Sequence, residues 1–419
     1  MIENVLKRSF SVFCCIGLAF VTGCSEDNTE NPSGGENPPI EKFVITTDAI
    51  EHDEVTISIT PPTNNSCYYA RLYSDTKANL DHPDEDLLVN IIFSDDFKDF
   101  LYTDEQTFTY TGLIGHSHYR LLYFSYDEVA GKRTSPLYRS DRITTPEAPA
   151  EFEIEVKDVT GLSAGLTIVP PDETMTYYYW VTPYSDYVTL QEESNNLLHQ
   201  NDFAWWNYWS SASEIPLKDA ISKDLSTGTL STNTDEFLQV LRWDTEYLLY
   251  AYGLDPDGNI TVPMTKARFH TNKPTASDNT FEVEISKNEW IEEETAAGTI
   301  YGYEIEATVT PKNPDESYYV TIDQKAWYDW YFSENNKGPK DSQFIMHQIL
   351  KNLGKTSKYL LDNTLKSGTQ VFRPHVERQG KLYRPDTEYV VFVFGMSADG
   401  PTTDLYVIPF ETGPRPITE

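Results

Sequence analysis

Two short runs of aromatic residues are where this chain could do chemistry. Phe203-Ala204-Trp205-Trp206-Asn207-Tyr208-Trp209 and Trp327-Tyr328-Asp329-Trp330-Tyr331-Phe332 hold five of the eight tryptophans. Flat rings flanked by Asn and Asp suit sugar binding, because the CH face of a pyranose stacks on the ring while polar neighbours take its hydroxyls. A helix packed on a sheet needs one apolar stripe, and adjacent aromatics must face different ways. The runs therefore predict that at least one ring of each neighbouring pair stays open to solvent, with Trp205, Trp206, Trp209, Trp327 and Trp330 as candidate binding residues. The competing reading is that the rings anchor their segments or pack one domain on the next.

Other chemistry is sparse. There is no G-x-S-x-G, HExxH, P-loop or GxGxxG, and the eight His are scattered apart from His116-x-His118. Two His on one strand face could hold a metal, but no third ligand lies in sequence range, so a polar loop is the better reading. Asp255-Pro256-Asp257-Gly258-Asn259 suggests a calcium loop, yet its Gly is fourth instead of sixth and no Glu stands at the twelfth position. With 66 acidic residues, carboxylate pairs for glycoside hydrolysis cannot be singled out from chance. No metal and no cofactor are implied.

The first 24 residues read as an address. Lys7 and Arg8 precede the apolar run Phe10 to Val21, about half of the ~20 residues a membrane span requires. Val21-Thr22-Gly23-Cys24 resembles a bacterial lipobox, with Val in the usual Leu place, so that Cys24 would be lipidated and become the first residue. Ser25-Glu26-Asp27 resembles the signal that sends lipoproteins of Bacteroidetes to the outer face of the outer membrane. Buried acyl CH2 groups contribute ~0.8 kcal/mol each, enough for firm anchoring by two or three chains. Residues 25–40, Pro- and Gly-bearing and almost free of hydrophobes, form a tether with a coil span of about 20 Å.

Composition limits the partners. Acidic residues outnumber basic ones 66 to 32, and a net charge of -34 disfavours nucleic acid. Of four cysteines, Cys14 and Cys15 leave with the signal and Cys24 takes the lipid, so Cys67 is left without a disulfide partner and reads as a small buried hydrophobe.

The elements that must position the aromatics come in three copies. Residues 113–145, 241–271 and 383–412 each carry a Gly, Trp or Pro, then Ser or Thr, then Tyr at alternate positions: Gly115, Ser117, Tyr119; Trp243, Thr245, Tyr247; Pro385, Thr387, Tyr389. An alternating strand follows, then a turn at Gly131, Gly258 or Gly400. Upstream, a Pro stands seven residues before a Tyr in each copy: Pro62 to Tyr69, Pro171 to Tyr178, Pro311 to Tyr318. The L-x-P-x-T-x-Y spacing resembles the tyrosine corner of fibronectin type III domains. That resemblance implies a mainly β chain of three tandem fibronectin type III-like (Ig-like) sandwiches, at 41–146, 150–273 and 278–413.

The corner Tyr follows the upstream Tyr by 50 positions from Tyr69 to Tyr119, 69 from Tyr178 to Tyr247 and 71 from Tyr318 to Tyr389, which leaves room for an insert in each copy. Asp341 as N-cap, Ile345, Ile349 and Leu353 at helical spacing and Gly354 as a stop predict a helix, and Ser357 to Leu365 a second. Leu87, Leu88, Ile91 and Ile92, then Phe97, Phe100 and Leu101, predict helix in the first copy, as Pro216, Leu217, Ala220 and Ile221 do in the second. Each sandwich should wear a small helical cap across one edge or end. The combination resembles surface lipoproteins of gut Bacteroidetes.

These readings converge on a surface-exposed, lipid-anchored outer-membrane lipoprotein, a non-enzymatic binding or adhesion protein with glycan capture as the leading function. A structural or protein-interaction role without a sugar site is the first alternative, and a hydrolase the last. Protease shaving of intact cells should release the chain, and Cys24→Ala should leave it unlipidated. Protection from added protease, in cells whose other surface proteins are cleaved, would defeat the surface placement.

Overall fold

The structure, a computed structural model, describes residues 42–416 apart from 64–65, 77–82, 190–191, 239, 296–297, 337–338 and 378–380. The signal peptide, Cys24 and the tether lie outside the described residues.

Three copies of one plan follow. The first runs β1 (Val44–Ile50), β2 (Glu54–Thr60), β3 (Tyr68–Ser74), helix α1 (Asp84–Ile92), β4 (Leu101–Tyr102), β5 (Gln106–Thr111), β6 (His118–Asp127), then β7 (Lys132–Arg133), β8 (Tyr138–Arg139) and β9 (Ile143–Thr144). The second runs β10 (Glu153–Lys157), β11 (Gly165–Val169), β12 (Thr176–Pro183), α2 (Tyr184–Tyr187), β13 (Val188–Thr189), β14 (Glu192–Glu193), α3 (Asn195–Ser213), α4 (Leu217–Ser222), β15 (Ser226–Thr227), β16 (Leu230–Asn233), β17 (Glu246–Leu254) and β18 (Ile260–His270). The third runs β19 (Phe281–Thr295), β20 (Gly298–Pro311), β21 (Tyr318–Gln324), α5 (Lys325–Phe332), α6 (Ser342–Asn352), α7 (Ser357–Asn363), β22 (Gln370–Phe372), α8 (Pro374–Glu377), β23 (Glu388–Ser397), β24 (Gly400–Pro401) and β25 (Tyr406–Glu411).

One sheet of each copy is ordered β1-β2-β5, β10-β11-β16 or β19-β20-β22. The facing sheet centres on β3-β6, β12-β17 or β21-β23, antiparallel throughout. This is the fibronectin type III-like order, three strands against a larger sheet, with the helices inserted after the third strand. The first tyrosine of each pair explains where the insert ends. Tyr68, Tyr177 and Tyr318 are fully buried and donate to the carbonyls of Asp104 (3.0 Å), Gly228 (2.9 Å) and Gly368 (3.1 Å). Those three acceptors all have positive φ, a conformation open to Gly and tolerated by Asp. Pairing of Tyr68, Tyr177 and Tyr318 with Ser125, Gly253 and Gly395 also shifts the repeat alignment by one residue: Tyr318 corresponds to Tyr68, not to Tyr69.

The helical layer covers a face, not an edge or end. Strands β17 and β23 are buried at every position from Tyr247 to Leu254 and from Tyr389 to Met396. Tyr247, Leu249 and Ala251 point between the sheets, and Leu248, Tyr250, Tyr252 and Leu254 point the other way, under α3 and α4. In the third copy Val391 and Val393 face inward, while Val390, Phe392 and Phe394 meet α6. A strand apolar on both faces needs cover on both, which is why alternation gives way to a continuous apolar run. The Asp341 cap is present, its Oδ1 accepting from Phe344 N at 2.6 Å, and Ile345 and Ile349 are buried.

All three tyrosine corners close. The hydroxyls of Tyr119, Tyr247 and Tyr389 accept from the backbone N–H of Ile114 (2.8 Å), Arg242 (2.8 Å) and Arg384 (2.9 Å). A threonine at the end of each copy completes the corner: Thr145, Thr271 and Thr412 donate to the carbonyls of those same residues at 2.7, 2.7 and 2.6 Å. Each also accepts from the backbone N–H of Ser117, Thr245 or Thr387. His116, Asp244 and Asp386 sit between these partners in the left-handed region. Tyr389→Phe should cost ~0.5–1.5 kcal/mol of third-domain stability in urea melts, with Thr412→Val similar. No loss in either variant would remove the corner from the stability argument.

Candidate functional site

The aromatic run of the second copy lies on α3, and the structure corrects the expectation for it. Trp206 is fully buried, edge-on to Tyr178 and Phe203, and its Nε1 donates to Asp224 Oδ2 at 3.0 Å. Trp205 is 9% exposed and stacks on Trp209, which is itself half-buried. Both neighbours are enclosed because α3 lies on the sheet and is flanked by α4, so two of its sides find apolar partners in one cluster with Ala220, Ile221 and Leu217. Trp205 and Trp206 therefore cannot stack a sugar. Asp202, one turn before, is also buried and accepts from the hydroxyls of Tyr250 and Tyr252.

The third-copy run forms α5, on which no residue is fully buried. Trp327 is half-buried against Tyr331 and Phe392. Trp330 and Phe332 are each 39% exposed. The two runs thus do not meet at one site, and Trp330 is the ring of the five that keeps the most accessible surface. His116 and His118 do not form a metal site either: His116 faces Glu147 at 3.1 Å, and His118 Nδ1 is bonded to Thr144 Oγ1. Among the described residues no cluster of three or more His, Cys, Asp or Glu could hold a metal.

What the sequence did not disclose is how the copies join. The corner of one copy enters the helical insert of the next, twice. At the first joint, Asn195 at the start of α3 donates its N–H to His116 O (3.0 Å) and its Nδ2 to Gly115 O (2.9 Å), while Asn196 N–H reaches Ser117 Oγ (3.0 Å). Lys266 gathers Glu147, Asn195 and Tyr187 beside them. At the second, Trp243 Nε1 donates to Gln343 Oε1 (2.7 Å), and Trp243, Leu162 and Val240 join the apolar cluster of α6. Asp235 caps α7 from the neighbouring copy, accepting from Ser357 N (2.9 Å) and Oγ (2.7 Å). Asp399 Oδ1 takes Gly161 N and Asn272 Nδ2. Gly400 lets the ring of Trp243 approach, since a Cβ there would lie 3.0 Å from it.

The second joint leaves an open cleft of about 920 Å³ beside that contact. Tyr184, Arg242, Trp243, Asp244, Glu246, Lys273, Gln343 and Asp404 line it. Trp243 is 5% exposed, so the lining ring is Tyr184, half-buried and with the Arg268 guanidinium 3.7 Å from its centroid on one side. Asp244 meets His270 at 3.1 Å and Lys273 at 3.2 Å, and these bonds hold its carboxyl below the usual range. Arg242 reaches Asp341 only at 4.0 Å. The lining can donate and accept hydrogen bonds and offers one flat ring.

No family model matches the chain, and neither does any curated protein. Among solved structures it is similar to the crystal structure of chicken CNTN1 FN1-FN3 domains, at 11% identity, 88% of this chain and 97% of that one, TM-score 0.22. It is also similar to the central fibronectin-III array of RIM-binding protein, at 11% identity, 88% and 96% coverage, TM-score 0.16. The assignment of the sandwiches rests on the sheet order itself.

The second joint contains a histidine held neutral. His347 donates from Nε2 to Val240 O (3.2 Å) beside Trp243. Burial, reinforced by the Lys351 charge, lowers its pKa to about 4. An unfolded histidine titrates near 6.5, so between pH 6.5 and 4 the unfolded chain binds a proton that the folded chain refuses. Stability should therefore be full above pH 6.5 and fall on acidification, by up to about 2 kcal/mol at pH 5. His347→Gln, neutral at every pH, should flatten that part of the profile in urea titrations. An unchanged slope in the variant would show that His347 takes no part.

Proposed function

We propose that the chain is a non-enzymatic binding protein, lipid-anchored at Cys24 and displayed on the outer membrane surface, that captures glycans in the cleft between its second and third domains. The observation that carries this reading is the cleft itself. Ligand sites favour domain joints, and a sugar needs a ring to stack on and paired donors and acceptors around it. Tyr184 offers the ring, Arg242, Lys273 and the Gln343 amide nitrogen can donate, and Asp404 can accept. The docked corners keep the two walls of the cleft at a fixed separation, so less order has to be imposed on binding.

The joints favour one other reading. A row of sandwiches locked corner to insert is a stiff spacer, suited to holding a protein-binding tip away from a membrane. Among the described residues no helix is long and apolar enough to cross one.

A glycan array with the lipid-free chain separates the two. A glycan hit should lose about five- to tenfold in affinity, about 1 kcal/mol, on Tyr184→Ala, Lys273→Ala or Asp404→Ala, with melting temperature unchanged in the Lys273 and Asp404 variants. Trp206→Ala should instead unfold the second domain, because it removes a buried ring worth about 3–5 kcal/mol. No glycan bound, or hits indifferent to all three cleft variants, would leave the spacer reading.

A further inference from the structure

The third domain carries an arm that the other two lack. β19 and β20 pair along the whole hairpin from Phe281↔Pro311 to Thr295↔Gly298, with one bulge between Ile285 and Lys287, whereas β10 and β11 pair only from Glu153↔Val169 to Lys157↔Gly165. An isolated two-stranded hairpin is marginal in water. Two things support this one. His375 on α8 contacts Glu293 at 2.7 Å. On the opposite face stand Trp290, Tyr301 and Tyr303, with Glu292 and Glu294 at register positions on that same side. The chain's own Gly413-Pro414-Arg415-Pro416 lies over that face.

The contact has specific chemistry. Tyr303 OH donates to Pro414 O at 3.0 Å, and Gly413 passes so close that a Cβ would lie 2.6 Å from that hydroxyl. The Arg415 guanidinium carbon stands 5.9 Å from the ring centroids of both Trp290 and Tyr301, within cation–π range. Gly413 and Arg415 each precede a proline, which biases them to extended backbone, and proline fixes its own φ. Aromatic grooves take such preformed segments at low entropic cost. Tyr301 nevertheless remains 52% exposed, so the tail leaves the outer end of the groove open.

We propose that the aromatic face of this arm is a docking groove for an extended segment in which prolines flank an arginine, that Pro414-Arg415-Pro416 occupies it in cis, and that a protein partner presenting the same chemistry binds by displacing the tail. The acidic side chains beside the rings favour a cationic segment over a neutral one. The groove is separate from the cleft, so failure of one leaves the other standing.

The probe is a fluorescein-labelled peptide of residues 413–419, followed by anisotropy. It should bind saturably to the chain ending after Thr412 and to the full-length Arg415→Ala variant. The intact chain should bind it at least about tenfold more weakly, because a tethered competitor acts at an effective concentration in the millimolar range. Trp290→Ala and Tyr301→Ser should each weaken binding to the shortened chain several-fold, and Ala in place of Arg in the peptide should do the same. Absence of saturable binding to both freed forms would overturn the proposal, as would binding indifferent to the ring variants. Should the intact chain form dimers that the shortened chain does not, the groove takes the tail of a second copy and the assignment to a separate partner falls.

Discussion

The architecture depends on strands that are apolar on both sides. β17 and β23 have no solvent face: one set of side chains fills the sandwich and the other set would lie bare without the helices. Each large side chain so covered contributes roughly 1.5–3 kcal/mol, so the insert is no ornament on a finished domain. Each copy is a three-layer unit with two cores, one between sheets and one between sheet and helices. The bond from a buried Tyr to a Gly carbonyl at the end of the insert ties the third layer back to the strand it left.

That requirement also decided the fate of the tryptophans. A layer of short helices on a broad sheet leaves grooves beside each helix, and large rings fill them with few residues. Trp206 occupies the space under α3 and Trp205 the space beside it, which is why adjacent aromatics need not mean exposure. The shorter α5 has no second helix pressed along its length in the same way, and its Trp330 keeps an open surface.

Much of the fold was legible because it is written in local spacing. The corner tyrosines, the glycine turns, the Asp341 cap and the α6 stripe all work within a few residues, and all stand where the spacing placed them. What escaped was long-range. Thr145, Thr271 and Thr412 complete corners from 25–31 residues away, and nothing in their own neighbourhood marks them. The cleft and both joints are made by residues of different copies, such as Trp243 with Gln343 across 100 positions. Trp243 had an indirect signal: a large apolar ring in a slot held elsewhere by Gly or Pro, at a loop that should face water. The one-residue slip in the repeat alignment had a similar origin, since the adjacent tyrosines at 68–69, 177–178 and 318–319 offer more than one register and only strand pairing selects among them.

The corner-in-insert joint bears on how such a chain can change. Beads on a string can be shuffled, duplicated or lost one at a time, because each keeps its own surface. Here a copy presents a corner shaped for its successor: Trp243 needs Gln343 and the room left by Gly400, and Asp235 needs the N–H and hydroxyl of Ser357 at the start of α7. Excising the middle copy would set Gly115 and His116 against an insert built to receive an indole. The heritable unit is therefore the interface, half a domain on either side of a joint, and innovation in this chain is easiest where no neighbour docks, at loop tips and on the arm.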